Sequence, residues 1–347
     1  MLMRWGGVTL CGVGILCGLT AANAAECPGN PNALGTSRVI SVDPAEHARL
    51  GTMQYGETLP LADKEVVITF DDGPLPPYSN RILDTLASEC VKATYFIVGS
   101  MARAYPNVVR RIHAEGHTIG THSQHHPMIF DRMPITRVQT EVEDGINSTA
   151  AALGNPGAVA PFFRIPGLAR SRSVETYLQE RGIMVWSADF PADDWKHINS
   201  SEVLNRALRR IEAKGKGILL LHDIQPATAL ALPALLRELK ARGYRIVHVV
   251  PAGIEQPKTA TAPQEWILDR SRQAWPRVVS ASHKLPAPRP PVARRPAATD
   301  ERATIKRQII DLPVDSLDST QSIPIFRGKT KVRLSRPAFV PPLVISN

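Results

Sequence analysis

Two sequence motifs that mark large groups of enzymes are absent from this chain. It has no Gly-x-Ser-x-Gly pentapeptide, which places the nucleophile of many serine hydrolases on a sharp turn. It also has no G-x-x-x-x-G-K-[ST] loop, which binds phosphates in many NTPases. No internal repeat is visible. The sequence therefore offers no support for a serine hydrolase of that type, for a P-loop NTPase or for a repeat architecture.

Cysteine is scarce, with 4 residues in a chain of 347. Cys11 and Cys17 fall in the amino-terminal segment considered next, which leaves Cys27 and Cys90. An isolated pair in an oxidising compartment can form a disulfide, and two unconnected thiols are the alternative. Sequence alone does not choose between them, because it does not place the two Cα atoms within bonding distance.

The amino-terminal segment also lacks an apolar run of the roughly 20 residues that a membrane helix needs. Arg4 precedes a shorter apolar stretch at residues 8–19, and an Ala-Asn-Ala sequence follows at residues 22–24. This order predicts a secretory signal peptide at residues 1–24 and a secreted or periplasmic protein. An uncleaved membrane anchor is the alternative.

Positive charge is concentrated at the other end of the chain. From Gln256 onward there are 16 Lys and Arg against 7 Asp and Glu, which accounts for the whole formal net charge of +9. The body is near neutral, which argues against a nucleic-acid-binding domain. The same segment holds 13 prolines. We therefore expect residues 253–347 to form a basic, Pro-rich, largely disordered tail that can contact an anionic cell-wall surface.

Between these ends, strand-like and helix-like segments alternate. Seven apolar segments have the length and composition of buried strands: residues 66–70, 93–99, 117–122, 161–165, 183–188, 217–221 and 244–250. Helical spacing lies between them, at residues 78–90, 106–116, 135–153, 174–181, 199–214 and 230–242. Ser200 or Ser201 is the expected cap of the fifth helix. This alternation predicts an α/β fold, a distorted parallel (β/α) barrel of about seven strands.

Polar residues follow the predicted strands where a parallel barrel would collect its active site. They are Asp71, Asp72, His122, Arg164, Asp189 and His222. Active sites of such barrels lie at the carboxyl ends of the strands. An Asp-Gly pair is also an ordinary turn signal, so the placement of the whole set is stronger evidence than one motif.

Three of these polar positions suggest a metal site. His122 and His126 are spaced i, i+4, so on a helical turn they would face the same side. One Asp with two His is a zinc-like ligand set that leaves a position open for water. His125 is the expected non-ligand, and His47, His113 and His117 are interpreted as structural or surface groups.

The sequence resembles a known family, the polysaccharide deacetylases of the NodB-homology type, which are also called carbohydrate esterase family four. The resemblance covers roughly residues 64–250. The first two family motifs, TFDDGP and HSxxHP, are complete at residues 69–74 and 122–127. By resemblance, Asp72, His122 and His126 bind the metal, and Asp71 is the general base. The implied cofactor is a divalent metal ion, zinc or another.

The remaining motifs are matched in part. The third, R-x-P-aromatic-Gly, has Arg164 but carries Gly167 where the family has an aromatic residue. Arg164 is implied to orient the base, and the Gly167 backbone N–H to help stabilise the oxyanion.

The fourth motif, D-x-x-D-W, is longer here, and we match Asp189 to its first aspartate and Trp195 to its tryptophan. The fifth, L-x-H, is intact at Leu220 and His222. By resemblance His222 is the general acid and Asp189 holds it, while Trp195 and Leu220 form the acetyl-methyl pocket.

The resemblance implies a metal-dependent hydrolase that removes acetyl groups from an N-acetylated polysaccharide such as peptidoglycan or chitin-like oligomers. An O-acetyl polysaccharide esterase is the alternative with the same chemistry. A non-catalytic carbohydrate-binding protein on the same scaffold is the alternative from another class. The expected organisation is a signal peptide at 1–24, an irregular extension at 25–63, the NodB-homology domain at 64–252 and the tail at 253–347.

Overall fold

The computed structural model describes residues 27–267. The predicted signal peptide and residues 268–347 of the predicted tail lie outside the described residues. All statements below concern residues 27–267.

The described chain forms strands and helices in close alternation after its first two strands. The strands are β1 (Thr36–Val42), β2 (Arg49–Leu50), β3 (Glu65–Asp71), β4 (Thr94–Ile97), β5 (Thr118–Thr121), β6 (Phe162–Phe163), β7 (Met184–Trp186), β8 (Phe190–Pro191), β9 (Gly217–His222) and β10 (Arg245–Pro251). The α-helices are α1 (Tyr78–Ser88), α2 (Gly99–Ala104), α3 (Pro106–Ala114), α4 (Ile135–Leu153), α5 (Arg172–Glu180), α6 (Ser200–Lys214) and α7 (Pro226–Ala241).

The strands form one sheet with parallel pairing, as the alternation predicts. Its order is β1-β10-β3-β4-β5-β6-β7-β2, while β9 pairs with β3 and β8 pairs with β9. Every strand pair is parallel. Among the described strands β8 pairs with neither β7 nor β2, so the barrel is not closed by backbone pairing. The α/β class is confirmed, and the ring of strands is open at this seam.

Alternation along β3 and β9 separates the core from the site. Val66, Ile68 and Phe70 pack into the larger cluster, which the helices α1, α3, α6 and α7 share. Val67 and Ile218 belong to a second cluster on the other face. Because strand side chains alternate, the face that carries Val67 also carries the last residue of β3. The strand that builds the core therefore also delivers its terminal polar residue to the opposite face.

Residues 27–63, which the sequence suggests are part of an irregular extension, contribute two strands to the sheet. β1 pairs with β10 from Thr36 to Val42, and β2 pairs with β7. Cys27 and Cys90 form a disulfide, with their Cα atoms 5.7 Å apart. The sequence does not reveal these strands, because β2 has two residues and the partner of β1 lies about 200 residues away in the chain.

The carboxyl-terminal part of the described chain also packs against the body. The Thr259 backbone N–H donates to the Ser41 carbonyl, at 2.9 Å. Trp266 is buried, and its ring stacks on His47. Pro263–Trp266 form a 3₁₀ turn. We propose that the domain begins before β1 and extends at least to residue 267, beyond the predicted limits of 64 and 252.

Helix details differ from the prediction in two places. The cap of α6 is Asn199, whose side chain accepts a hydrogen bond from the Glu202 backbone N–H, instead of Ser200 or Ser201. The helix α2 has six residues and no clear periodicity, so the sequence pattern does not predict it. Within residues 27–267, no helix is long and apolar enough to cross a membrane.

Candidate active site

A cavity of about 430 Å³ opens at the carboxyl ends of the strands. It is lined by Met53, Asp71, Asp72, His122, His126, Met128, Ile165, Gly167, Leu168, Pro191, Trp195, Leu220 and His222. Nine of the ten site residues predicted from the sequence thus line the cavity or contact a lining residue directly, and Asp189 is the exception.

The two adjacent carboxylates reach the cavity by different routes. Asp71 is the last residue of β3 and is buried. Asp72 has a φ of 76°, so the chain turns sharply there and its side chain also faces the cavity. A Cβ atom at Gly73 would lie 2.0 Å from the Asp223 carboxylate, so only glycine fits after this pair.

Arg164 fixes the position of Asp71. Its Nη1 donates to Asp71 Oδ1 at 2.6 Å and to Thr69 Oγ1 at 2.8 Å, and its Nη2 donates to the Ser187 carbonyl. The guanidinium is fully buried and lies over the Phe96 ring. A buried arginine paired in this way orients one carboxylate oxygen and leaves Asp71 Oδ2 facing the histidines.

His122 and His126 direct their Nε2 atoms at the same carboxylate. The distances to Asp72 Oδ1 are 3.4 Å from His122 and 3.2 Å from His126. His122 Nδ1 donates to the Arg164 carbonyl at 2.6 Å, which leaves Nε2 as the nitrogen with a lone pair.

The loop that carries the two histidines is not helical. Ser123 and His126 both have a positive φ, and the His126 backbone N–H donates to Ser123 Oγ. The predicted convergence is therefore present, but a folded loop produces it and not a helical turn.

The residues fit a metal ion. Ligand atoms of Asp72, His122 and His126 all lie within 4.8 Å of one another. Asp72 Oδ1 is buried and accepts no hydrogen bond in the described chain. Burial, with the neighbouring His122, lowers the pKa of His126 and so favours the neutral imidazole that binds metals.

Burial opposes ionisation of Asp72, but the imidazoles around it outweigh that effect and lower its pKa. Two imidazoles and one carboxylate form a typical zinc ligand set.

His125 lies apart from this set. Its Nδ1 is 2.9 Å from Glu141 Oε1, and its backbone N–H donates to the other oxygen of the same carboxylate. The ring is largely exposed. The contacts with Glu141 shape the loop and keep this histidine away from Asp72.

His222 enters from the end of β9, and its partner is Asp194. His222 Nδ1 lies 2.8 Å from Asp194 Oδ1, and the His222 backbone N–H donates to Oδ2 at 2.7 Å. Thr228 Oγ1 donates to the same oxygen. Burial lowers the pKa of His222, but the hydrogen bond and charge of Asp194 outweigh it and raise the pKa to about 9.

The predicted pairing of Asp189 with His222 is wrong. Asp189 accepts hydrogen bonds from the Thr52 backbone and hydroxyl, from Thr58 Oγ1 and from the Ile218 backbone. It therefore ties the segment after β2 to the start of β9. The short strand β8 lies between Asp189 and Asp194. The fourth motif is longer for this reason, and its first aspartate is not the one that reaches His222.

The cavity walls are apolar. Trp195 is 41% exposed, and its ring meets the His222 ring edge-on. Leu220 lies on the same face of β9 as His222. The sequence analysis missed Met53, Met128, Ile165, Leu168 and Pro191. Met128 directly follows the second motif and could have been suspected from that position, whereas nothing near Met53 in the sequence points to the site.

Comparisons with known proteins place this geometry in a family. The polysaccharide deacetylase family model matches residues 59–186. A peptidoglycan-N-acetylglucosamine deacetylase of Bacillus cereus is 31% identical over 196 residues, which are 55% of this chain and 89% of that protein. A peptidoglycan-N-acetylglucosamine deacetylase of Listeria monocytogenes is 33% identical over 189 residues, 54% of this chain but only 38% of that protein. The chain thus spans most of the Bacillus cereus relative but well under half of the Listeria monocytogenes relative.

A solved structure has the same fold. The peptidoglycan deacetylase Bd3279 of Bdellovibrio bacteriovorus aligns with a TM-score of 0.58 and 31% identity, over 65% of this chain and 62% of that chain. With the complete first two motifs and the converging Asp72, His122 and His126, these matches assign the protein: it belongs to the polysaccharide deacetylase family, the NodB-homology or carbohydrate esterase four group.

Proposed function

We propose that this protein is a metal-dependent hydrolase that removes acetyl groups from an N-acetylated, N-acetylglucosamine-containing polysaccharide. One observation carries the proposal: Asp72, His122 and His126 converge within 4.8 Å, with the Asp71 carboxylate and the His222 imidazole beside them in one cavity. Amide hydrolysis needs an activated water, a polarised carbonyl and a proton for the departing nitrogen. The arrangement has a residue for each need.

The metal ligands in this proposal are Asp72, His122 and His126, and zinc is the ion that we propose. Such an ion supplies Lewis-acid polarisation of the acetyl carbonyl and a water of lowered pKa. The His122 imidazole is oriented for this task by the Arg164 carbonyl, and Ser123 Oγ holds the backbone from which the His126 imidazole projects.

Asp71 is the proposed general base. Arg164 occupies Asp71 Oδ1, while Oδ2 lies 3.9 Å from His122 Nε2 and so beside the proposed metal position. That oxygen can accept the proton of an attacking water. Arg164 acts as the positioning residue, because it touches the base and not the reacting atoms.

His222 is the proposed general acid. Asp194 holds Nδ1, so Nε2 points into the cavity, 3.9 Å from Asp72 Oδ2. The imidazolium that Asp194 favours can donate its Nε2 proton to the departing amine. Asp71 and His222 are register partners at the ends of the neighbouring strands β3 and β9, and both line the cavity.

The residues that line the cavity suggest where the substrate binds. We propose that Trp195 and Leu220 enclose the acetyl methyl group and that the Gly167 backbone N–H assists the oxyanion. Peptidoglycan is the proposed polymer, because relatives carry that name for their own substrates. A secreted or periplasmic location and a tail that contacts anionic cell wall belong to the same proposal.

The test is acetate release from peptidoglycan, chitin oligomers and acetylated xylan by the purified full-length protein. We expect release from the N-acetylated substrates, and loss of at least 100-fold in Asp71→Asn, since general-base catalysis contributes about 10²–10⁴-fold. Asp144→Asn, an exposed carboxylate on α4, is the matched control and should retain wild-type rates.

Two outcomes would favour the alternatives. Release from acetylated xylan alone would assign an O-acetyl esterase. Binding of all these polymers without any release would assign a non-catalytic carbohydrate-binding protein.

A further inference from the structure

The turn of the third motif contains a glycine whose side-chain space is occupied by another residue. Gly167 has φ 59° and ψ 13°, and the following Leu168 also has a positive φ. A Cβ atom at Gly167 would lie 2.8 Å from Met128 Cε and 3.4 Å from Met128 Sδ. The tip of the Met128 side chain therefore lies where a larger residue at position 167 would begin.

Met128 comes to this position from a different loop. It lies two residues after the proposed ligand His126, and it lines the cavity together with Met53 and Leu168. Its side chain remains 63% exposed, so it fills no core space. Its neighbour Ile129 is 52% exposed but does not line the cavity. Two adjacent exposed apolar residues thus differ in whether a molecule in the cavity can touch them.

Contact between a ligand and an exposed apolar side chain at a cavity rim is favourable, because it removes apolar surface from water. Pyranose rings present C–H faces that pack against apolar walls, while a few polar groups fix their orientation. A methionine suits such a contact because it is unbranched and its thioether is polarisable. Around this rim the polar groups are the acid, the base and the proposed metal ligands, and Met128 supplies an apolar side chain beside them.

We propose that Met128 is a specificity-determining residue that contacts the C–H face of the sugar carrying the acetyl group. It supplies, from the loop after the second motif, the side-chain contact that Gly167 cannot make from the third. The inference rests on the proposed function and adds a substrate contact to it. The competing explanation is that Met128 only covers the Gly167 turn.

Steady-state kinetics on a defined chitin oligomer separate the two explanations. Met128→Ala should raise KM about 5- to 20-fold, with kcat within about threefold of the wild type, because a ground-state contact is lost. Met128→Leu keeps an apolar side chain of similar volume and should stay within about threefold of the wild-type KM. Ile129→Ala is the matched control and should leave both constants unchanged.

A polar isostere completes the design. Met128→Gln keeps the length of the side chain but removes its apolar tip, so its KM should rise like that of Met128→Ala. This variant also keeps the question open to test if Met128→Ala does not fold. Bound metal and the melting temperature, measured for each variant, should remain those of the wild type.

Three results would overturn the inference. An unchanged KM in both Met128→Ala and Met128→Gln would show that substrate does not touch this side chain. A raised KM in Met128→Leu, equal to that of Met128→Ala, would exclude an apolar contact. A lowered melting temperature with unchanged kinetics would assign Met128 to covering the turn.

A different result would contradict the proposed function without testing the Met128 contact. If the wild-type protein binds the oligomer without releasing acetate, the proposed hydrolysis is wrong, and the same variants are then compared by their Kd. A protein that neither binds nor hydrolyses the oligomer would contradict both.

Discussion

Asp71 and Asp72 are adjacent in the chain, yet their side chains have different partners and different proposed roles. Adjacent side chains of a strand point to opposite faces, so two strand residues could not share one cavity. The left-handed backbone at Asp72 ends β3 and returns its carboxylate to the side that Asp71 faces. Arg164 then binds Asp71, while Asp72 is left to the imidazoles. The chemistry of the pair thus depends on a single backbone conformation.

Replacement of one histidine should separate metal binding from the fold. His126→Ala removes one of three proposed ligands, and we expect at least a tenfold loss of bound zinc together with the loss of acetate release. His125→Ala is the matched control, because His125 contacts Glu141 instead, and it should keep its metal. Metal content measured by elemental analysis after dialysis checks both. Full zinc occupancy in His126→Ala would contradict the ligand assignment.

Residue identity predicted most of this site, because the motif residues are contiguous and each has one chemical task. The Asp189 assignment failed for a spatial reason. Asp189 and Asp194 are five residues apart, and only the structure shows that β8 turns the first towards Thr52 and Thr58 and the second towards His222. Spacing inside a loop does not specify which of two carboxylates reaches a given histidine.

The two aspartates should therefore respond differently to the same change. Asp194→Asn removes the charge beside His222, so we expect a loss of kcat of about 10- to 100-fold with metal still bound. Asp189→Asn disturbs four hydrogen bonds remote from the cavity, so we expect a lower melting temperature with kcat of the folded fraction near that of the wild type. Kinetics and thermal unfolding of both variants check this, and the opposite pattern would restore Asp189 as the partner.

Strands that are encoded by a local run of apolar residues could be predicted from the sequence, and strands that depend on distant partners could not. The strands β3, β4, β9 and β10 are fully or mainly buried apolar runs, and local composition predicts them. The strands β2 and β8 have two residues each, and their existence depends on partners far away in the chain. No local pattern encodes such a contact. These are also the elements that bring Met53 and Asp194 to the site, so their positions were not predictable.

The strand β10 carries a histidine that should make stability depend on pH. Burial, with smaller contributions from His117 and Lys92, lowers the pKa of His248 to about 4. The folded state therefore favours the neutral ring, whose Nε2 lies 2.9 Å from Thr118 Oγ1. This stabilisation is complete above the unfolded pKa of about 6.5. It is lost as pH falls from that value to about 4, by an amount on the order of 3 kcal/mol.

Urea unfolding at several pH values between 4 and 7.5 measures this effect. His248→Gln should flatten the fall in the free energy of unfolding on acidification, because the substituted side chain does not titrate. His113→Gln, an exposed histidine on α3, is the control and should keep the wild-type slope. An unchanged slope in His248→Gln would assign the acid sensitivity to other groups.

For the whole described chain, both flanking segments belong to the folded unit. The disulfide joins Cys27 to Cys90, and β1 lies beside β10. The carboxyl-terminal segment returns across the same region, where Trp266 is buried against His47 and Glu57 pairs with Ile267. Composition alone places the end of the domain at residue 252, because the Pro-rich segment begins before the residues that pack around Trp266. The formal net charge of +9, by contrast, resides wholly beyond residue 267.

A pair of truncations tests where the folded unit ends and what the tail does. A chain ending at residue 267 should keep the melting temperature of the full-length protein, whereas one ending at residue 256 loses Trp266 and should be destabilised. Removal of a buried Trp side chain costs about 3–5 kcal/mol, so Trp266→Ala should reproduce most of that loss. Equal stability of the two truncated chains would return the boundary to residue 252.

The chain ending at residue 267 also tests the basic tail. It should hydrolyse small soluble oligomers at the full-length rate, because every proposed site residue remains. Its binding to purified anionic cell wall should be weaker than that of the full-length protein, and the difference should be largest at low salt and shrink as salt screens the charges. Co-sedimentation at about 0.01 M and at about 1 M ionic strength, where the Debye length falls from about 30 to about 3 Å, measures this. A difference that persists unchanged at high salt would mean that the tail binds by contacts other than charge.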